Sequence, residues 1–217
     1  MTTKWPGTTL LGPSMGPGPA DAGMGASKLA TRRLGGFCAL TMLMVLTRAG
    51  HLGTAWSLPD ASWPVLYLAG FYFGSQWRWA LPFLLCTAAA VDFVLIRDFG
   101  VSSYCVTVAY AFMLPAYSML WLGGAWLRRT YRHEPRDFLR CAISFALAAS
   151  LCFLVTDASF YWLGGRVTQP SLAGWGHRIV HWYPDFLGVS FIYIAIAAVL
   201  HAAFARPARS PVAANVR

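Results

Sequence analysis

Apolar residues in this chain fall in long runs, without the strict alternation of a half-buried strand, and turn signals or charge clusters separate them. The runs cover residues 34–51, 63–76, 79–96, 105–127, 138–157 and 186–205. A helix needs about 20 predominantly apolar residues to cross a bilayer, with about 17 tolerated. The second run falls short of that, so it must tilt, extend into its flanks or re-enter. The pattern predicts an all-α membrane bundle of six transmembrane helices, with no internal repeat at a fixed period.

The ends read differently. Trp5-Pro6-Gly7, Gly12-Pro13 and Gly16-Pro17-Gly18-Pro19 crowd breaker residues into positions 1–33 with little apolar material to bury. This stretch reads as a disordered Pro/Gly-rich tail, and 206–217 as a second tail. A signal peptide is the competing reading, because Lys28, Arg32 and Arg33 precede an apolar run that ends in small residues near Ala49. The long irregular leader suits that reading poorly, so 34–51 is taken as a first membrane helix.

Composition agrees with the pattern. The 217 residues are 57% hydrophobic and 12% charged, against about 25% charged in ordinary globular chains. Five scattered cysteines form no paired framework of the kind small secreted domains use. The net charge of +9 raises nucleic acid as a partner, but its distribution says otherwise. Thirteen of the 17 basic residues fall on one side of the expected topology, in the two tails, the turn at Arg78 and the loop 128–140. By the positive-inside rule both termini are cytoplasmic. The basic excess then marks topology, with some contact to anionic lipid, and nucleic acid drops out.

The opposite side carries the candidate chemistry. Asp60, Asp92, Asp98, Asp157 and Asp185 gather there, with His51, Tyr104, Cys105, Tyr110, Trp175, His177, Arg178, His181 and Trp182. Asp92 lies inside an apolar run, about one turn from its end. A carboxylate at membrane depth costs about 2.5–3.5 kcal/mol on insertion scales, so it normally faces a partner or a wet cavity; the competing role is capping or snorkelling at the interface. Asp157 is its counterpart in helix five, where interfacial solvation competes evenly. Ser102 or Ser103 is expected to cap helix four and place Cys105 in its first turn, where unpaired N–H groups favour thiolate. Cys38, Cys86, Cys141 and Cys152 sit in apolar helical runs, where a thiol acts as a small hydrophobe. Tyr110 either hydrogen-bonds Asp92 or serves as an interface tyrosine. His177 and His181 share a helical face, which suits a metal or haem, but an aromatic interfacial helix explains them better. Arg178, a lone arginine among acids, suits recognition of amide, phosphate or carboxylate. Gly35-x-x-x-Ala39 and Gly124 let helices approach closely and carry no assigned function. No nucleotide-binding loop, Ser-His-Asp ordering or zinc pattern occurs in the chain.

Asp92, Ser103-Tyr104-Cys105-Val106-Thr107, Tyr110 and then Arg178 ahead of the last helix give a chain that resembles the BtuM proteins. These are small cobalamin transporters of Gram-negative inner membranes, related in fold to the substrate-binding S-components of energy-coupling-factor (ECF) transporters. The resemblance spans about residues 34–205, and the Pro/Gly tail has no counterpart in it. It implies an S-component-like bundle that binds cobalamin (vitamin B12) as its substrate on the outer face. Cys105 matches the cysteine that ligates cobalt and removes the cyano group from cyanocobalamin. Asp92, Tyr104, Tyr110 and Arg178 match a polar network around it. It also implies action without a dedicated ATPase module, a shared ECF module staying open. Two other readings remain: an S-component-like protein for another vitamin or metal, and a membrane haem protein.

Overall fold

The structure, a computed structural model, describes residues 19–50, 59–99 and 107–204, with side chains described from residue 30 in the first stretch. All secondary structure among these residues is helical. The helices are α1 (Pro19–Gly50), α2 (Ser62–Phe73), α3 (Trp77–Asp98), α4 (Met113–Thr130), α5 (Arg136–Leu163) and α6 (Leu172–Phe204). The chain divides into two units, one ending at Cys38 and the other running from Ala39. The second holds the core and the site described below.

Four helical stretches are long and apolar enough to cross a membrane: Ser62–Asp98, Val108–Thr130, Arg136–Leu163 and Leu172–Phe204. They mark a membrane-embedded protein. The expected runs 63–76 and 79–96 meet in one of these stretches, because Gly74–Gln76 forms a single 3-10 turn that carries α2 straight into α3. At 1.5 Å per residue, the 12 residues of α2 reach only about 18 Å. Two other boundaries differ from expectation. Residues 19–33, read as tail, form the first turns of α1, since a breaker-rich composition disfavours a helix without forbidding one beyond its last proline. And α6 begins at Leu172, fourteen residues ahead of the expected 186, and keeps Pro184 inside it. A proline removes one backbone donor, which membrane helices tolerate where neighbours re-satisfy the freed carbonyl.

The core sits where α2, α4 and α5 meet. Ten of the twelve residues of α2 are buried. Two glycines allow this close approach: a Cβ on Gly70 would collide with the Trp121 carbonyl, and one on Gly124 with the Tyr67 carbonyl. Tyr67 then ties in α5. Its hydroxyl donates to Ser144 Oγ at 3.0 Å, and Ser144 donates to the Gly123 carbonyl at 3.0 Å. Its ring meets Phe145 edge-on at 5.1 Å.

The arginine-rich loop between α4 and α5 is organised by one acid. Asp137 is 3% exposed and accepts the backbone N–H groups of Arg132 (2.9 Å) and Glu134 (3.0 Å) and a guanidinium N–H of Arg140 (2.7 Å). The carboxylate satisfies backbone donors of the loop ahead of α5, and its charge complements the helix N-terminus, while His133 turns the chain with a left-handed φ of 61°.

Candidate functional site

At the opposite end of α2 from Gly74, four helices converge on one guanidinium. Arg48 closes the last turn of α1, where a cation complements the helix dipole. Its Nε and Nη2 donate to Asp92 Oδ1 and Oδ2, both at 2.6 Å. This is the two-pronged arrangement that a planar guanidinium makes with a carboxylate. Nη1 reaches the start of α2, donating to Ser62 Oγ at 2.9 Å and to Asp60 Oδ2, two residues ahead of the helix, at 3.3 Å, and touches Tyr117 OH of α4 at 3.4 Å. Asp60 is held in turn, since its Oδ1 accepts the Ser62 backbone N–H (2.9 Å) and hydroxyl (2.6 Å). This side-chain turn replaces a helix cap. One residue along α1, Thr47 Oγ1 accepts the Ala61 N–H at 3.1 Å.

Tyr110 completes the arrangement. Thr107 is extended, with φ −131° and ψ 178°, and a 3-10 segment, Val108–Phe112, leads into α4. From that segment the Tyr110 hydroxyl donates to Asp92 Oδ2 at 2.7 Å. Of the two sequence readings for Tyr110, the hydrogen bond to Asp92 is the one present. The Arg48 and Asp92 side chains are 10% and 22% exposed, so the pair is largely withdrawn from solvent. Two such charges cost several kcal/mol each to desolvate, which they recover only through good geometry and further hydrogen bonds. Here both are supplied.

Arg178 and Asp157 form a second pair, between α6 and α5. Arg178 donates to Asp157 Oδ1 from Nη2 at 2.8 Å and from Nε at 3.3 Å, and lies 5.9 Å from the centre of the Tyr161 ring. Asp157 is 8% exposed, and its Oδ2 is buried with no hydrogen-bond partner. No ion pair or hydrogen bond links this pair to Arg48 or Asp92 among the described residues, so Arg178 stands apart from the Asp92 network that was expected to include it. The helix extends to Leu163, which puts Asp157 inside α5 and not at its end.

Cys105, Tyr104 and His51 lie outside the described residues, and so does the expected cap of helix four at Ser102 or Ser103. Cys38, Cys86, Cys141 and Cys152 are free thiols. His177 and His181 both fall within α6, and His181 packs edge-on against Trp182 at 4.7 Å. Sequence reasoning missed Arg48 as a site residue and counted it only as a loop charge. Its signal was nonetheless there: Arg48 and Asp92 each lie within an apolar run, near an end assigned to the same side of the membrane.

Comparison of the chain with protein-family models and with curated proteins gives no match.

Proposed function

We propose that this chain is a six-helix, BtuM-like protein of the bacterial inner membrane that binds cobalamin on its outer face and imports it, with both termini cytoplasmic. In this reading α1 supplies the first span, and α2 and α3 are separate elements of an S-component-like bundle. The Cys105 thiolate is the axial cobalt ligand.

One observation carries the proposal: the Tyr110–Asp92–Arg48 chain of hydrogen bonds fixes the segment that follows Cys105 by five residues. A ligating side chain needs a rigid support to hold its geometry, and two charge-assisted contacts at 2.6 Å provide one. Asp92 has both oxygens engaged, so its role is to orient Tyr110 and, through it, the cysteine-bearing segment. Proton acceptance suits a carboxylate with a free oxygen, and both Asp92 oxygens are engaged.

Cobalt in a corrin keeps two axial positions, and a soft thiolate is a strong axial donor. When Cys105 sulfur bonds to cobalt, the cobalt–carbon bond to cyanide breaks and cyanide leaves with the electron pair. Ligand exchange of this kind requires no oxidant or reductant. Arg178, paired to Asp157 through Nε and Nη2, keeps Nη1 for a corrin amide carbonyl. The chain carries no nucleotide-binding pattern, so energy for uptake comes from a gradient or from a separate, shared ATPase module.

The visible spectrum of protein purified from cells fed cyanocobalamin tests this. Wild type carries a corrin spectrum altered by sulfur ligation, and Cys105→Ala loses it. An unchanged chromophore in Cys105→Ala removes the thiolate ligand, and a haem Soret band in place of corrin absorption removes cobalamin altogether.

A further inference from the structure

A cavity of about 290 Å³ opens between the start of α2 and one face of α6, roughly the liquid volume of ten water molecules at about 30 Å³ each. Asp60 and Trp63 line one wall; Trp182, Asp185, Phe186 and Ser190 line the other. The second set has i, i+3, i+4, i+8 spacing, so a single stripe of α6 supplies it. Trp63 stacks on Phe186 with ring centres 5.5 Å apart and planes 27° apart. Phe153 backs both rings, at 6.4 Å from Trp63 and 5.8 Å from Phe186. Trp63 is buried, whereas Trp182 and Phe186 are 45% and 49% exposed and offer ring surface to an occupant.

The charge of this wall is one-sided. Arg48 is committed to Asp92 through two short contacts and reaches Asp60 only at 3.3 Å. Asp185 has no ion-pair partner among the described residues. Among the described residues, one guanidinium is shared between Asp92 and the cavity-lining Asp60, and Asp185 adds a second carboxylate to the cavity wall, so negative charge there is left uncompensated by them. A small metal cation asks for six or more oxygens around it, and a wall built largely of indole and phenyl rings does not provide them. Aromatic faces beside carboxylates suit a different occupant, a cation that carries its own apolar groups, because the negative ring faces attract it as they cover its methylenes.

We propose that this cavity binds an alkylammonium group, its charge held between Asp60 and Asp185 and its carbon substituents against Trp63, Trp182 and Phe186. The site is independent of cobalt ligation and requires nothing of Cys105. The group can belong to a free organic amine or to an ethanolamine lipid head.

The test uses the full chain in nanodiscs of phosphatidylglycerol, free of corrinoid, titrated with choline chloride at constant ionic strength while tryptophan fluorescence is read. The expected result is a saturable change that the neutral tert-butyl analogue of choline does not give. Asp185→Asn weakens it at least tenfold without moving the melting temperature, and Asp185→Glu restores most of it. In phosphatidylethanolamine discs a site for free amines keeps its response, whereas a site filled by the lipid head loses it. The proposal falls if choline gives no saturable change in phosphatidylglycerol discs, if the neutral analogue matches it, or if Asp185→Asn binds like wild type.

Discussion

Helices α2 and α6 are both apolar almost throughout, yet they do opposite things with that surface. Of the twelve residues of α2, ten are buried against protein. Of the 33 residues of α6, only Ser190 and Ile194 are buried, and Ile192, Ile196, Val199 and Leu200 are each more than half exposed. In a bilayer the hydrophobic effect does not distinguish the two, because lipid tails are as apolar as leucine. What separates them is packing. α2 carries Gly70 and meets Gly124 of α4, so backbone approaches backbone; α6 presents branched and aromatic side chains that suit acyl chains as well as they suit a neighbour. A hydropathy profile registers the same signal for a protein core and for a lipid-facing wall.

The sharpest way to break this difference is to remove the close approach. Gly124→Ala places a methyl group against the Tyr67 carbonyl and the Phe71 backbone nitrogen, neither of which can swing aside. Overpacking costs about 1–3 kcal/mol in ordinary cores and more where nothing relaxes. The expected loss is about 3 kcal/mol or more, seen as a failure to elute as a monodisperse species from detergent or as a large fall in melting temperature. The second test cuts the polar anchor at the start of α2. Arg48→Ala leaves Asp92 withdrawn from solvent without its cation, at a cost of about 3–5 kcal/mol. Replacing both, Arg48→Met with Asp92→Leu, is expected to recover most of that stability while losing the order around Tyr110. If the double replacement is as unstable as the single, desolvation of an unpaired charge is not the cause. The third test compares like with like. Leu66, fully buried in α2, and Leu200, 51% exposed on α6, are each changed to alanine. Leu66→Ala is expected to lose about 2–5 kcal/mol by cavity formation, and Leu200→Ala about 0.5 kcal/mol or less, as surface substitutions do. Equal losses in a thermal melt would mean that α6 is covered by something beyond this chain.

Much of the fold was legible as a list of helices. The runs 63–76, 79–96, 105–127 and 138–157 fall within a few residues of helical stretches, because long apolar periodicity and charge clusters at the ends leave little else for the backbone to do. The boundaries of α1 and α6 were not legible. Pro19 reads as a breaker yet begins a helix, and the run expected from 186 belongs to a helix that starts at Leu172 and keeps Pro184 inside it. The site was half legible. Asp92 stood out by its cost, and Tyr110 as its possible partner. Arg48 was concealed by the topology argument, which treats every arginine as a loop charge and asks only on which side it falls.

The sequence alone determined that this chain is helical and apolar enough for a membrane, and that Asp92 needs a partner. Those properties follow from periodicity and from the cost of a bare charge, which are local. The tertiary structure decided which partner, by bringing Arg48 and Asp92 together across 44 positions. It also decided which apolar helix became core, since that depends on where Gly70 and Gly124 allow two backbones to meet. Neither choice is encoded in any single stretch, because a contact between helices is a property of their packing and not of either helix by itself.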